Sequence, residues 1–215
     1  TGPSSPIAEV FTQNDGVQTV SLIAGAVDPE GDTLTIDGVS FDPMNPAGFL
    51  IVNSDSVEVT TGAYVYLNDG DDTEIEIMYV IADGAGNLTD EQTATITITG
   101  ANDDATIEGL ASGGVTEDTA VTDGQLTASG TLTVTDVDTG QAIFNTSVIS
   151  QEGNLGTLEI TDAGAWSYTL NNSQQVVQQL GDADEITDTF TVKSIDGTAQ
   201  ENIVITISGL NDAAV

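Results

Sequence analysis

Three groups of carboxylates recur in the same order in the two halves of this chain, each next to a strand-like segment. The first is Asp28-Pro-Glu30-Gly-Asp32 in the first half and Asp136-Val-Asp138 in the second. The second is Leu67-Asn-Asp69-Gly-Asp71-Asp72, set against Leu180-Gly-Asp182-Ala-Asp184-Glu185. The third is Asp83-Gly, set against Asp196-Gly. Between the halves lies Thr99-Gly-Ala-Asn102-Asp103-Asp104-Ala105, and a close copy, Ser208-Gly-Leu-Asn-Asp-Ala-Ala214, stands near the end. Oxygen donors in this density suit a hard cation. Calcium takes six to eight oxygens from carboxylates, amides, backbone carbonyls and water, whereas magnesium demands a tighter octahedron. Zinc would call for His or Cys, and the chain has neither.

The pattern is not an EF-hand loop. Asp28, Glu30 and Asp32 have the alternating donor spacing, but Gly31 is misplaced and Val39 stands where the closing Glu should be. A single Asp-x-Asp in so acidic a chain says little, because Asp is a common turn residue. Recurrence of three clusters and a hinge in register says more.

Composition narrows the partners. The 215 residues carry 35 Asp and Glu against a single base, Lys193, for a formal charge of -34. Nothing could neutralise phosphate, so nucleic acid is excluded as a direct partner, and anionic membrane surfaces are disfavoured. Self-repulsion of this size destabilises a compact state unless cations neutralise it. Disorder is not expected, because 39% of residues are hydrophobic and many fall in alternating runs. No cysteine is present, so neither disulfide nor thiolate chemistry is available. No apolar run is long enough for membrane insertion. The opening Thr1-Gly-Pro-Ser-Ser-Pro6 has no start Met or signal peptide, which reads as a fragment of a longer protein.

Period-2 alternation supplies the elements that would hold the clusters. In the first half it marks Val17–Leu22, Leu34–Val39, Phe49–Val52, Ser56–Thr60, Tyr64–Leu67, Ile75–Ile81 and Thr93–Thr99. Gly130–Thr135 and Gly156–Thr161 are the clearest strands of the second half. The fold class expected is all-β: two tandem antiparallel sandwiches of immunoglobulin-like type. The expected boundaries are a linker over 1–6, one domain over 7–101 and another over 102–212, with 102–105 as an acidic cation-binding linker. Gly164-Ala-Trp166-Ser-Tyr168 mirrors Gly62-Ala-Tyr64-Val-Tyr66, with both rings of each pair expected on one core-facing side. The segment Asn171–Leu180 is the one predicted helix, capped by Asn172 or Ser173 with Val176, Val177 and Leu180 on one face. Phe41–Phe49, with two prolines, reads as a lid over the core edge or a partner-contact patch.

From about Asn102 to Asp212 the second half resembles the VCBS repeat of large bacterial surface adhesins of the RTX type. The resemblance is carried by Asn102-Asp-Asp104, Val115-Thr-Glu117-Asp-Thr119, Gly130-Thr-Leu-Thr-Val-Thr-Asp136-Val-Asp138, Gly164-Ala-Trp-Ser-Tyr-Thr-Leu170, Thr189-Phe-Thr-Val192, Asp196-Gly and Gly209-Leu-Asn-Asp212. The first half resembles a more divergent cadherin-like module through Ala26-Val-Asp-Pro-Glu-Gly-Asp32 and Asp83-Gly-Ala-Gly-Asn87. In such arrays calcium sits between modules. The resemblance therefore implies an inter-unit Ca2+ set of Asp69, Asp71, Asp72, Asn102, Asp103, Asp104, Asp136, Asp138 and Asp196. It assigns Glu117 to a junction with a following module, and Asp28, Glu30, Asp32 and Asp83 to one with a preceding module.

The resulting expectation is a calcium-stabilised, monomeric extender of a secreted adhesin at the bacterial cell surface, exported by type I secretion. Its partners would be neighbouring repeats of the same chain, bridged by Ca2+. The alternative is an adhesive module for a host-surface glycan, a peptide or a second copy of itself, motivated by the Phe41–Phe49 loop. An enzyme is not expected. There is no His, Cys or nucleophile elbow, and a carboxylate pair could hydrolyse a glycoside only with a substrate groove that the sequence does not suggest.

Overall fold

The computed structural model describes residues 2, 5–44, 46–51 and 53–211, with only the backbone of Ile51. By contacts the chain divides into two compact units, Thr1–Asp103 and Asp104–Val215. Unit 1 contains β1 (Ile7–Thr12), β2 (Val17–Ser21), β3 (Thr35–Asp42), β4 (Phe49–Ile51), β5 (Ser56–Thr60), β6 (Asp72–Ala82) and β7 (Gln92–Thr99). They form sheets of order β1-β7-β6-β3 and β2-β5-β4. Unit 2 contains β8 (Thr106–Gly109), β9 (Ser112–Thr116), β10 (Gln125–Thr135), β11 (Phe144–Ser150), β12 (Thr157–Ile160), β13 (Ala165–Asn171), β14 (Glu185–Ser194) and β15 (Gln200–Ser208). Its sheets run β12-β13-β10-β8 and β11-β14-β15-β9. Each unit is a β-sandwich.

Strict alternation sets which side chains go inward. In β7 the buried residues are Ala94, Ile96 and Ile98, and in β15 they are Ile203, Ile205 and Ile207; Thr95 and Thr97, and Val204 and Thr206, alternate with them on the other, half-buried face, as a two-residue period dictates. In both units one early strand breaks the antiparallel rule: β1 pairs with β7 in parallel, and β9 does the same with β15. Strands β1 and β9 therefore finish at the same end of the sandwich where the last strand leaves. Because β6 and β14 run antiparallel to those last strands, each unit has a leaving end and an opposite, entering end.

Three expectations are corrected. Asn171–Leu180 is not a helix: it winds as separate turns, closed by Gln174 N to Asn171 O, Val177 N to Gln174 O and Leu180 N to Val177 O. Asn172 spends its side chain on Asp118 rather than on a cap, and a ten-residue polar segment is too short to hold a helix alone. Val177 is buried and the half-buried Leu180 packs against the same core, while Val176 stays exposed. The only helical element among the described residues is a 3-10 turn at Thr61–Tyr64, in unit 1. That turn removes the expected Tyr64–Leu67 strand and the symmetry of the aromatic pairs. Trp166 and Tyr168 lie on one buried face of β13, whereas Tyr64 is buried and Tyr66 is exposed. Burial, and then neighbouring Tyr66, push the Tyr64 hydroxyl up to about 12.

Phe41 and Phe49 are half-buried, meet edge to face at 5.8 Å and pack against the unit 1 core. Met44 between them is exposed, so the loop is both a lid and a surface. Val52, at the end of the expected Phe49–Val52 strand, lies outside the described residues, as does Asp212 of the closing hinge copy.

Candidate metal centres

At the entering end of unit 1, Asp28 folds its own loop: Oδ1 accepts from the backbone N–H of Glu30 and of Asp32, each at 2.9 Å. Asp83, just past β6, does the same for Ala85 at 3.0 Å and Asn87 at 2.7 Å, while Oδ2 takes the Asn87 side-chain amide at 2.7 Å. The Asn87 side chain first, then its backbone N–H, holds the Asp83 carboxyl below the usual carboxylate range. Asp28, Asp83 and Asn87 line one small pocket with Leu34 and Ile81, so two of the predicted clusters are brought together. Glu30 and Asp32 remain exposed.

At the entering end of unit 2, Asp138 is buried and its backbone N–H donates to Asp136 Oδ1 at 2.8 Å. Thr198 Oγ1 donates to Asp196 and accepts the Ala105 N–H at 2.9 Å, which fixes the entering backbone beside the Asp196 loop. Asp136 follows Thr135, whose partner across the sheet is Thr106. The two clusters thus flank the backbone at Ala105–Thr106. Asp104, one residue earlier, is exposed.

The leaving ends repeat one design. In unit 2 the Glu117 N–H donates to Ser208 O at 3.0 Å, and Glu117 Oε1 accepts from Leu210 N–H at 2.8 Å. The next amide, Asn211 N–H, donates to Asp182 Oδ1 at 3.1 Å, and Asp184 closes its loop by accepting from Gly181 N–H at 2.9 Å. Glu117 is fully buried, and its Oε2 has no hydrogen-bond partner. In unit 1 the same place is held by Gln13: its N–H donates to Thr99 O at 3.0 Å. Gln13 Nε2 donates to Ala101 O at 2.7 Å and to Asp103 Oδ2 at 2.8 Å, while Oε1 is buried without a hydrogen-bond partner. Gly100 N–H donates to Asp71 O as Gly209 N–H does to Asp184 O. Asp69, Asp71, Asp72 and Asn102 are exposed at this end, and Asp103 is half-buried.

Gln13 was not legible as a candidate because it is not acidic. The signal is the register Thr12-Gln13 against Thr116-Glu117, each just past a strand pairing in parallel with the last strand. Among the described residues, no group of three or more acidic side chains is arranged to hold a metal ion. The donor chemistry nonetheless fits a hard cation. Every candidate atom is an oxygen, and two buried side-chain oxygens at matched positions lack a hydrogen bond, which is costly unless something compensates it.

Next to Glu117, Asp118 takes a left-handed backbone at φ 56. It exchanges hydrogen bonds with Asn172, 3.0 Å from its N–H and 2.7 Å to its Oδ1, and accepts from Gln178 at 3.2 Å. The Asn172 side chain first, then Gln178, holds the Asp118 carboxyl below the usual range. With the folded value below the unfolded one of about 3.9, this contribution to stability is present above that value. It is lost as pH falls through the lower folded value. Asn172→Ala is expected to move the Asp118 titration up toward the ordinary carboxylate range, with the Gln178 contact still holding it partly down, checked by NMR of the carboxyl carbons.

A family model described as bacterial cadherin-like domain matches residues 102–209. No curated protein matches in sequence. Among solved structures, a protocadherin gammaB7 EC3-6 cis-dimer is similar at TM-score 0.50 and 13% identity over 98% of this chain and 48% of that one. The protocadherin gammaB4 extracellular domain gives 0.50 and 13% over 99% and 32%. The human desmocollin-1 ectodomain gives 0.42 and 13% over 96% and 41%. The chain thus spans less than half the length of these three. At such identities the likeness is one of fold: both sandwiches are cadherin-like.

Proposed function

The chain belongs to the bacterial cadherin-like domain family, and from that premise we propose that it is a calcium-stabilised extender segment of a secreted bacterial adhesin. Domains of this kind are typically structural or adhesive rather than catalytic. The observation that carries the reading is the repeated leaving end, where a buried side-chain oxygen without a hydrogen-bond partner sits beside the hinge in each unit. In this reading Asp69, Asp71, Asp72, Asn102, Asp103, Asp104, Asp136, Asp138 and Asp196 hold Ca2+ where one unit passes to the next. Asp28, Glu30, Asp32 and Asp83 serve the entering end of unit 1, and Glu117 the leaving end of unit 2. A bound divalent cation supplies the positive charge that a chain of formal charge -34 lacks. The RTX-type parentage, the VCBS character of unit 2, the cell-surface location and the monomeric state belong to the same proposal.

Thermal melts in EGTA and then in graded calcium test it. Extracellular modules bind calcium with a Kd of roughly 0.1–1 mM. At about a hundredfold excess each site adds about 2.7 kcal/mol to the folded state, so the melting temperature is expected to climb with calcium. Joint replacement of Asp103 and Asp104 by Ala is expected to reduce that climb. A melting temperature indifferent to calcium would remove the reading.

A second reading draws on one surface feature of unit 1. A groove of about 590 Å3 runs beside Val39, Phe41, Met44 and Met78. This supports an adhesive contact for a glycan, a peptide or a second copy of the chain. The inward packing of Phe41 and Phe49 favours the extender. A saturable glycan-array signal lost on Met44→Asp would favour the adhesive reading instead.

A further inference from the structure

The two leaving ends share one backbone design, and at its matched buried position unit 1 carries the neutral Gln13 where unit 2 carries Glu117. Gln13 and Glu117 occupy matched positions: each follows the parallel strand, donates its N–H to the last residue of the final strand, and places its side chain on the residue two further along. Both are essentially inaccessible to solvent, and each keeps one side-chain oxygen without a hydrogen-bond partner, Oε1 of Gln13 and Oε2 of Glu117. The remaining atoms behave differently. Glu117 only accepts. Gln13 turns its amide N–H2 onto the hinge, to Ala101 O and to the carboxylate oxygen Asp103 Oδ2. These two acceptors define which end of the amide is nitrogen, since neither could face an oxygen.

We propose that Gln13 sets a weak divalent-cation affinity at the leaving end of unit 1, so that this end responds only at higher calcium than a carboxylate there would allow. The inference rests on the calcium reading above and adds to it a residue and a grading. Two physical effects act together. A neutral amide oxygen is a poorer ligand for calcium than a carboxylate, and affinity in oxygen-ligand sites follows the number of charged ligands. The Gln13 N–H2 also occupies one oxygen of Asp103, a candidate ligand, and steadies the hinge without a cation. The first unit thus keeps a partly preformed, low-affinity end, and Glu117 gives the second unit the stronger version of the same site.

The test uses the full 215-residue chain and calcium chloride alone, followed by amide NMR at Gly100–Asp103 and by calorimetry. Gln13→Glu is expected to lower the calcium midpoint read at Gly100–Asp103 by about tenfold, the scale on which ligand charge tunes such sites. It should leave Gly209–Asn211 unmoved. Glu117→Gln, the reciprocal change, is expected to weaken the response at Gly209–Asn211 by a similar factor. This second variant decides the matter if Gln13→Glu does not fold in EGTA. A midpoint within twofold of wild type for both variants would overturn the role of Gln13 while the calcium reading stood. No calcium-dependent shift at either end of the wild-type chain would overturn both.

Discussion

Asp188→Ala is expected to destabilise unit 2 by about 4 kcal/mol, measured by urea or thermal unfolding in EGTA. Asp188 is fully buried in β14. Its carboxylate accepts from Leu155 N–H at 2.9 and 3.0 Å, from Gly156 N–H at 2.7 Å and from Tyr168 O–H at 2.8 Å. Removing it strands three donors in the sandwich interior, each costing about 1–3 kcal/mol when left unsatisfied. Against a total of about 5–15 kcal/mol for a domain, that is a large share. Asp188→Asn is expected to recover part of the loss, because its oxygen can keep the Oδ2 contacts with Leu155, Gly156 and Tyr168 while its nitrogen would face the Leu155 N–H, itself a donor. Tyr168→Phe removes one donor with its acceptor still satisfied by the others, and should cost about 1 kcal/mol. Burial, and then the hydrogen bond to Asp188, push the Tyr168 hydroxyl far up. That raised value leaves the contribution intact below about pH 10, the ordinary tyrosine value, and loses it only at higher pH. An Asp188→Ala chain as stable as wild type would show that the 154–156 loop finds other acceptors.

Gly164→Ala should cost unit 2 about 3 kcal/mol in the same assay. Gly164 has φ 86, and a Cβ built on it falls 2.1 Å from Leu132 O and 2.7 Å from the Phe144 ring. A left-handed backbone costs an ordinary residue about 1–2 kcal/mol, and forcing extra volume into a packed site adds about 1–3 kcal/mol. Its Gly164 N–H closes a turn on Thr161 O while its carbonyl accepts from Leu132 N–H, so the backbone cannot move away cheaply. Gly62→Ala is the matched control. Gly62 has no atom within 4 Å of an added Cβ and sits in the 3-10 turn, so it should cost well under 1 kcal/mol. Equal effects at the two glycines would contradict the structural difference between Gly164-Ala-Trp and Gly62-Ala-Tyr.

The strands were readable because alternation is a local code. Thr93-Ala-Thr-Ile-Thr-Ile-Thr99 declares its buried face through residues two apart, and the structure buries Ala94, Ile96 and Ile98. Where the code is weak, length and context decided. The polar stretch Asn171–Leu180 has helical spacing but broke into turns, because Asn172 and Gln174 found partners in Asp118 and Leu155, distant in sequence. The Tyr64 and Tyr66 rings separated because the chain turns there, and no single-residue property of Gly62-Ala-Tyr announces it. Asp188 was visible in principle: it lies in phase with the inward Phe190 and Val192. Its partners, however, come from residues 20 to 33 positions away.

For the candidate site, the recurrence of Asp and Asn in register made a hard cation held by oxygens the expected chemistry, and that is the chemistry proposed. The expectation needs only residue types and order, since donor identity is written into each side chain. Which oxygens are buried, and which lack a hydrogen bond, depends on contacts between residues some 90 positions apart, such as Gln13 with Asp103 and Glu117 with Leu210. The parallel pairing of β1 with β7 and of β9 with β15 makes those contacts. Tertiary structure alone therefore revealed that a neutral Gln and a charged Glu stand at the same place in the two units, because their equivalence lies in strand register rather than in residue type.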